Sequence, residues 1–263
     1  MSPSTTEAGD PIHRHSGSEM PFSASGDAML VLVVGGTRGT GLLAVHLLQQ
    51  QGYGVRVLAR DPRGVKAHTG PRIEIVQGDV TKAETLVPAV QGVRAILYTA
   101  GVRSGHWAGE DRIKHTDFEG VTHTLSAART AGSVERFVYM TSIGGVAPSF
   151  SATLLNLVKR NVLKWRRRAE DAIRVSGMNY SVVRAGFLVN APGGGRSVQI
   201  SQGDLPLGPR YRIARADVAE VLVEALYHGG ASHATFEVVW GDGPRRQGVA
   251  EMLSRLRPDS TTA

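Results

Sequence analysis

The 263-residue chain contains no cysteine. This absence excludes disulfide bonds, thiolate metal sites and a cysteine nucleophile, and it fits a reducing compartment. The chain also lacks long apolar runs: the longest have only the length of a strand, so we predict no membrane-spanning segment. We therefore expect a cytoplasmic protein that has no membrane partner.

Acidic residues are scarcer than basic ones, since 23 Asp and Glu stand against 30 Lys and Arg, which gives a net charge of +7. Such a balance raises the question of a nucleic-acid partner. The densest basic run, residues 159–168, lies in a predicted helix and is followed by acidic residues. We interpret it as a solvated helix face that helps attract an anionic cofactor, and we predict no nucleic-acid partner.

Residues 1–27 are rich in Ser, Gly, Pro and Thr and lack the apolar core of a signal peptide. Their acidic residues argue against a transit peptide. We predict a disordered extension at 1–27, one folded domain at 28–243, and a helix and tail at 244–263. With 41% hydrophobic residues, the chain is long enough to bury the core of a single α/β domain.

Glycine is abundant, and its most informative cluster follows Leu30–Val34, an unbroken apolar run typical of a strand buried on both faces. After the cluster come an apolar helical face and a second strand at 55–59. Glycines in this context permit a tight turn and let backbone N–H groups reach a pyrophosphate at the helix N-terminus. A glycine-rich connection without a ligand is the disfavoured alternative. The glycines concerned are Gly35, Gly39 and Gly41.

Strand and helix patterns alternate along the rest of the chain. Further strands are predicted at residues 72–77, 94–99, 136–141, 179–184, 198–201 and 235–240. Helices are predicted at residues 81–92, 110–131, 151–176, 213–226 and 249–256. The first of these helices is expected to open with a capping box formed by Thr81 and Glu84.

This alternation predicts an α/β fold, a doubly wound parallel sheet of the Rossmann type in a single domain. In such a sheet the loops at the carboxyl ends of the strands form one crevice. Two loop-rich stretches, residues 102–109 and 187–210, are expected to supply the walls of a substrate pocket there.

Several motifs follow one another in order between residues 29 and 240: Gly35-x-x-x-Gly39-x-Gly41, Gly78-Asp79, Ala100-Gly101, Thr141-Ser142 and Asp217-Val218-Ala219. Together they resemble the short-chain dehydrogenase/reductase superfamily. Within it the chain is most similar to the atypical branch that contains the NmrA-like proteins and the flavin and biliverdin reductases. The resemblance implies a nicotinamide dinucleotide cofactor and a small-molecule substrate. It leaves the oligomeric state open, with a homodimer as one option.

The resemblance assigns cofactor-binding residues in three groups, each at the carboxyl end of a strand. The pyrophosphate would be held by Gly35, Thr37, Arg38, Gly39, Thr40 and Gly41. Adenine would be flanked by Asp79 and Val80, and the nicotinamide ribose by Thr99, Ala100 and Gly101.

Two arginines favour NADP as the cofactor. Arg60 stands at the end of the second strand, where NAD-binding members carry an acid for the ribose hydroxyls. Arg38, before the second glycine, matches another basic position of NADP-preferring members. Both could meet the 2′-phosphate. Asp61 supports the alternative, NAD, because it could bind the ribose instead.

The chain departs from the family at the catalytic pair. Most catalytic members carry Tyr-x-x-x-Lys, in which the tyrosine gives a proton to the substrate oxygen while the lysine lowers its pKa and holds the ribose. Here Val162 stands in place of the tyrosine and Arg166 in place of the lysine. Arg166 could bind ribose and supply positive charge, or it could form a helix-surface ion pair with Glu170 one turn later.

Ser142 and Thr141 follow the fifth predicted strand and, with Arg166, are the catalytic candidates, because a hydroxyl there could hydrogen-bond an acceptor. Three further candidates each have a structural alternative: Tyr98 packed in the sheet, His106 exposed in a loop and His115 exposed on a helix. No metal site is predicted.

Three functions from different classes fit these residues. The first is an NADP(H)-dependent oxidoreductase that lacks the tyrosine acid and transfers hydride to a conjugated or carbonyl acceptor, which takes its proton from water. The second is a catalytically silent NADPH sensor or regulator of the NmrA-like kind. The third is a non-redox cyclase or isomerase on the same fold.

Overall fold

A computed structural model describes residues 29–65, 70, 72–102, 109–144 and 161–260. The predicted extension at 1–27, most of the loop at 102–109 with His106, and residues 151–160 of the predicted helix at 151–176 lie outside these residues.

Eight of the ten described strands agree with the predicted ones to within one residue at each end, while the short strands at Phe187–Val189 and Arg212–Ala214 were not predicted. They are β1 (Leu30–Val34), β2 (Gly54–Ala59), β3 (Ile73–Gln77), β4 (Ala95–Tyr98), β5 (Arg136–Ser142), β6 (Tyr180–Ala185), β7 (Phe187–Val189), β8 (Val198–Ser201), β9 (Arg212–Ala214) and β10 (Ala234–Trp240). The helices are α1 (Gly39–Gln50), α2 (Val87–Val90), α3 (Glu110–Ile113), α4 (Gly120–Ala131), α5 (Val162–Arg174), α6 (Arg215–Ala225) and α7 (Val249–Leu253).

Eight strands form one sheet in the order β3-β2-β1-β4-β5-β6-β10-β8. All neighbours are parallel except β8, which runs antiparallel to β10 at the edge. The order reverses beside β1, so a crevice opens between the carboxyl ends of β1 and β4, which is where doubly wound sheets bind ligands. This topology confirms the predicted fold class. The strands β7 and β9 form a separate parallel pair, and β7 begins just after the carboxyl end of β6.

Alternate residues of β1 face two different hydrophobic layers. Val31 and Val33 pack with α1 and α6 on one face of the sheet, while Leu32 and Val34 pack with α4 and α5 on the other. Successive side chains of a strand point to opposite faces, so a strand with helices on both sides must be apolar throughout. Each such buried side chain contributes about 1.5–3 kcal/mol relative to an exposed one.

The helix predicted at 81–92 is wrong in form. A 3₁₀ turn at Ala83–Leu86 is followed by the single turn of α2. Pro88 stands in the first turn of α2. Because proline has no N–H to donate, it starts a helix but cannot continue one. The capping box is absent as well, because the Thr81 N–H and hydroxyl both donate to Asp79 Oδ1.

The helix predicted at 110–131 forms with one irregularity. Lys114–Glu119 is a π-helical segment that joins α3 to α4. Such a segment is costly in a regular helix and is frequent at functional sites. Its buried member is Asp117. None of the described helices is both long and apolar enough to cross a membrane.

Candidate functional site

The glycine turn after β1 is built from backbone packed on backbone. Gly35 has a φ of +88°, and a Cβ on it would lie 2.6 Å from the backbone nitrogen of Ala100. A Cβ on Gly41 would lie 2.3 Å from the carbonyl oxygen of Gly35 and 2.4 Å from Thr99 Oγ1. A side chain at either position would therefore drive the turn away from the end of β4.

The first turn of α1 is the part of this glycine turn that faces open space. Gly39 has a φ of +57°, and a Cβ placed on it would meet only the side chain of Arg215, at 3.9 Å from Nε. The next residue, Thr40, is 4% exposed, and its Oγ1 has no hydrogen-bond partner among the described residues. A buried hydroxyl without a partner is costly, so a ligand that bonds to it would stabilise the turn.

The segment after β4 lies across the turn. Thr99 donates from both its N–H and its Oγ1 to the carbonyl oxygen of Val34, at 2.8 and 3.1 Å. Gly101 follows beside two charged groups: a Cβ on it would lie 3.2 Å from Asp117 Oδ1 and 3.4 Å from Arg166 Nη2. The structure thus brings the predicted residues Thr99 and Ala100 into contact with the glycine turn, and it places Gly101 beside Asp117 and Arg166.

Asp79 and Val80 follow β3, as predicted, and they occupy different environments. The Asp79 carboxylate accepts two hydrogen bonds from Thr81, from its hydroxyl at 2.9 Å and from its N–H at 3.0 Å. Val80 is 8% exposed, and its carbonyl oxygen is 2.9 Å from His123 Nδ1.

Arg38 and Arg60 are both exposed, and neither forms an ion pair with a described residue. Asp61, the residue that favours NAD, is already engaged, because its Oδ1 accepts hydrogen bonds of 3.1 Å from the N–H and the Nε of Arg63. The arginines are therefore open to a phosphate, while the acid is partly satisfied.

The most specific arrangement at the carboxyl edge joins three side chains from three elements. Arg166, on α5, donates from Nε to Asp117 Oδ1 at 3.0 Å and from Nη1 to Ser142 Oγ at 3.0 Å. Asp117 Oδ2 accepts a further bond of 2.9 Å from the N–H of Val102. The side chain of Asp117 is 2% exposed and that of Arg166 is 26% exposed, so a buried carboxylate holds an arginine that reaches the crevice.

This arrangement decides between the two interpretations of Arg166. The alternative ion pair with Glu170 is wrong, since Glu170 instead binds Arg184 at 2.7 Å and Arg174 at 3.1 Å. Burial alone would lower the pKa of Arg166, but the Asp117 carboxylate, together with Tyr139 and Glu170, outweighs that effect and the pKa lies above its ordinary value. Arg166 is therefore a permanent positive charge beside Ser142.

The position of the missing tyrosine is filled by a well-packed apolar residue. Val162 is 8% exposed and lies in a small cluster with Ile113, Leu163 and Trp165. It presents no polar atom to the crevice, so no proton donor comes from that position on α5.

The remaining candidates divide clearly. Thr141 is 5% exposed and is thus much less accessible than its neighbour Ser142. Tyr98 is fully buried and donates to the carbonyl oxygen of Thr116 at 3.1 Å, and its burial raises the pKa of its hydroxyl well above the ordinary value. His115 is exposed and contacts Glu119. Within the described part of the chain, no group of three or more His, Asp or Glu residues could hold a metal ion.

The chain is similar in sequence to known NAD(P)H-binding proteins. A model of the NAD(P)H-binding family matches residues 35–229. This chain belongs to that NAD(P)H-binding family. Sanguinarine reductase of Eschscholzia californica is 30% identical over 263 residues, covering 86% of this chain and 93% of that protein. The matches confirm the atypical branch of the short-chain dehydrogenase/reductases, while its NmrA-like subdivision stays a prediction.

Solved structures similar to this NAD(P)H-binding protein agree on the fold. A putative NAD-dependent epimerase/dehydratase from Bacillus halodurans superposes with a TM-score of 0.70 at 26% identity, covering 87% of this chain and all of that one. An anaerobillin reductase from Escherichia coli O157:H7 gives a TM-score of 0.64 at 19% identity, covering 82% and 98% of the two chains. At that identity the second match shows the fold alone.

The residues present fit the dinucleotide of this family. The space above Gly39 is open at the N-terminus of α1, where the helix dipole and free N–H groups favour a pyrophosphate. The unpartnered Thr40 Oγ1 in the same turn is a ready donor. On the predicted assignment, Arg38 and Arg60 would meet the adenosine half of the dinucleotide, while Gly101 and Arg166 would lie beside its nicotinamide half.

Sequence reasoning missed two residues that lie beside the predicted cofactor-binding segments. Asp117 was hidden because it falls within a regular helical pattern, and the π-helical segment that turns it inward has no distinct sequence signature. Arg215 follows a short strand far along the chain, and its proximity to Gly39 is set by the packing of α6 on α1. The available clue was the motif Asp217-Val218-Ala219, which served only for recognition and begins two residues after Arg215.

Proposed function

We propose that this protein is an NADP(H)-dependent oxidoreductase that reduces a small conjugated or carbonyl acceptor. The observation that carries the proposal is the arrangement of Asp117, Arg166 and Ser142 at the carboxyl edge, next to the glycine turn. Relatives named for reduction, such as sanguinarine reductase, support it.

The choice of NADP over NAD rests on charge. Arg38 is an exposed cation at the start of α1, and Arg60 is an exposed cation directly after β2, the strand that pairs with β1. A 2′-phosphate is the part of NADP that two such cations would bind. Asp61 pairs with Arg63, but both side chains are largely exposed, so this pair opposes NAD only weakly and the two cations carry the choice. A related fold from Veillonella parvula was solved in complex with NADP, at 12% identity and a TM-score of 0.65.

When bound, the cofactor supplies a hydride, and the chain supplies positioning and charge. Arg166 donates a hydrogen bond to Ser142 Oγ. The O–H of Ser142 therefore remains available to donate a hydrogen bond to the oxygen of the substrate. Negative charge that develops on that oxygen is stabilised by the Ser142 dipole and by the positive charge of Arg166 behind it. Because Val162 has no proton to give, the proton arrives from water.

Asp117 keeps this donor chain aligned. A carboxylate with one oxygen on Arg166 and the other on the N–H of Val102 fixes both the guanidinium plane and the start of the loop at 102–109. The arginine therefore enters the reaction already ordered, which is the main advantage of a preorganised site over water.

The test is a titration of the protein with NADPH and with NADH. Native protein should bind NADPH more tightly, and Arg60→Ala should lose roughly tenfold in NADPH affinity while NADH affinity is unchanged, as expected for one charge-assisted contact. Arg72→Ala is the matched control. It removes an equally exposed arginine that donates to Gly52 at the opposite edge of the sheet, and it should leave both affinities intact.

Turnover is tested with NADPH and a panel of flavins, quinones and enones. Reduction of at least one acceptor supports the proposal, and binding without any reduction removes its enzymatic half. Absence of binding by either nucleotide would remove the proposal as a whole.

A second candidate, a catalytically silent NADPH sensor, is favoured by the buried Val162 at the tyrosine position. It predicts tight NADPH binding, no turnover, and a protein partner whose binding depends on the cofactor. Pull-down with and without NADPH discriminates the two functions, since an oxidoreductase needs no such partner.

The remaining expectations belong to the same proposal. We propose a small-molecule substrate, a cytoplasmic location and no nucleic-acid or membrane partner, and a homodimer is compatible with it. Two relatives from Arabidopsis thaliana carry the description chloroplastic, so fractionation of cells that express this chain is the measurement that checks the location.

A further inference from the structure

Arg215 lies directly opposite the glycine turn. It is the first residue of α6 and follows β9 without a loop. Because α6 packs against α1, the Arg215 side chain reaches the N-terminus of α1. Its Nε lies 3.9 Å and its Cδ 4.0 Å from the place where a Cβ on Gly39 would stand.

The charge of Arg215 is not compensated by a carboxylate in the described part of the chain. Its Nη1 donates to Asn190 Oδ1 at 2.7 Å and to the carbonyl oxygen of Leu188 at 3.4 Å, and both acceptors are neutral. The acid in the same helical turn, Asp217, is committed elsewhere, since it accepts from Gly194 N–H and Trp240 Nε1.

The contrast with other half-buried or buried arginines is informative. Arg166, Arg184 and Arg245 each pair with at least one carboxylate within 3.5 Å. Arg136 also has only neutral acceptors, but it is the first residue of β5 and so lies at the amino end of the sheet, away from the glycine turn. Arg215 is also half-buried, yet it stands in the first turn of its own helix, where the helix dipole disfavours a cation. An anion supplied from outside the chain would remove both disadvantages.

We infer that Arg215 binds the pyrophosphate of the dinucleotide, from the side opposite the glycine turn. This inference rests on the proposed function. The diphosphate is the anionic group that the N-terminus of α1 favours, and Thr40 Oγ1 in the same turn has no partner among the described residues. Arg215 Nη1 keeps its bonds to Leu188 and Asn190, while Nε faces the turn and donates to a phosphate oxygen.

Arg215 thereby links the cofactor to the loop-rich stretch at 187–210. Leu188 lies in β7 and Asn190 follows it, so one guanidinium holds the start of the predicted substrate wall and the diphosphate together. Cofactor binding should order this stretch.

The experiment measures nucleotide affinity for native protein and for Arg215→Gln, which keeps a polar side chain but removes the charge. We expect Arg215→Gln to weaken NADPH and NADH equally, by roughly 10- to 100-fold, because the diphosphate is common to both. The affinity for ADP, which carries a diphosphate, should fall more in this variant than the affinity for AMP, which carries one phosphate. Arg60→Ala differs from Arg215→Gln because it should weaken the binding of NADPH alone.

The matched control is Arg212→Gln, which makes the same change at an exposed arginine of β9, three residues before Arg215. It should keep the NADPH affinity within about twofold of native. Hydrogen exchange gives a readout independent of affinity: NADPH should slow exchange at residues 187–190 in native protein and not in Arg215→Gln.

The outcomes separate this inference from the function on which it rests. If native protein binds NADPH and Arg215→Gln binds it equally well, Arg215 serves another ligand and the inference is overturned while the function stands. If native protein binds neither nucleotide, both are overturned. Should Arg215→Gln fail to fold, Arg215→Lys keeps the charge without the planar fork and should still weaken both nucleotides by roughly 3- to 10-fold; unchanged affinity in that variant would overturn the inference.

Discussion

Two buried arginine clusters lie beside helix α5, and they differ in what surrounds the cation. Arg166 meets one carboxylate, at 3.0 Å, and one hydroxyl, at 3.0 Å. Arg184 meets three carboxylates within 3.3 Å, and its side chain is only 6% exposed. The three acids around Arg184 are Glu170, Asp204 and Glu237.

The difference separates a structural arginine from one placed for chemistry. Every carboxylate around Arg184 accepts from protein donors, so the cluster joins α5, β6 and β10 and has little to offer a ligand. Arg166 ends at a serine on the half-open carboxyl edge, and its Nη2 lies beside Gly101. Breaking the first cluster should cost stability, while breaking the second should cost turnover.

The largest expected effect is on stability, from Glu170→Gln. This change removes the charge that holds both Arg184 and Arg174, and the loss of one partner from a buried ion cluster costs about 3 kcal/mol. Urea denaturation should show the loss, with NADPH affinity retained in the folded protein. The control is Asp171→Asn, an acid with a 56% exposed side chain that pairs with Arg174 at 2.9 Å, which should cost less than about 0.5 kcal/mol. Equal costs in both variants would contradict the buried role of Glu170.

The next effect is on turnover, from Ser142→Ala. Loss of the hydroxyl that donates to the acceptor should lower kcat by about 100-fold, which is the usual cost of one preorganised donor. NADPH affinity and the urea midpoint should stay near their native values. Thr141→Val is the isosteric control at the neighbouring residue and should retain kcat within about threefold. A larger loss in Thr141→Val than in Ser142→Ala would move the donor role to Thr141.

A smaller loss is expected for Asp117→Asn. An amide has one oxygen, so it cannot accept from both Arg166 and the N–H of Val102, and one of these donors loses its partner. We expect kcat to fall about tenfold and stability to fall by about 1–3 kcal/mol. Glu119→Gln, on the same π-helical segment but partly exposed, is the control and should leave kcat unchanged. A variant Asp117→Asn with native kcat would show that Arg166 keeps its position without the acid.

The smallest effect is a pH dependence of stability at Glu237. Burial raises the pKa of Glu237 above its ordinary value, and the lowering effects of the Gly203 N–H and of Arg184 do not cancel this rise. The unfolded chain therefore loses this proton at lower pH than the folded one. Stability should fall as pH rises between the ordinary pKa of a glutamate and the raised value, and the fall should cease above it.

Glu237→Gln isolates this contribution. The free energy of unfolding, measured against pH for both proteins, should show a decline through that interval in native protein that is absent from the variant. Parallel curves would contradict the assignment of the raised pKa to Glu237.

Much of the fold could be predicted because it is written in local patterns. Apolar runs such as Leu30–Val34 fixed the strands, and glycines with a positive φ, such as Gly132 at +68°, marked the ends of helices. The failed capping box shows the limit. Thr81 and Glu84 have the spacing of a capping box, but the Thr81 donors bind Asp79 instead. Pro88 then starts a new helical turn, so the contacts of neighbouring residues override the local pattern.

The candidate site could be predicted in part. The glycine turn and the segment at Thr99 are contiguous motifs, and they lie together as expected. Arg166 was recognised as a site residue from its position in the family motif. Its partner Asp117 was not recognised, because it lies 49 positions earlier in the chain. Pairings between distant elements depend on how α5 packs on the π-helical segment, and no periodicity in either stretch encodes that.

The attachment of Asp259 has a practical consequence. This residue accepts from Thr235 N–H at 2.9 Å and from the Tyr180 hydroxyl at 2.9 Å, and it pairs with Arg174 at 3.4 Å. Thr235 and Tyr180 stand at the amino ends of β10 and β6, which is the edge opposite the crevice. A fluorophore or surface linker placed just after residue 260 would therefore hold the protein by its far side and leave the mouth of the crevice free for optical titration.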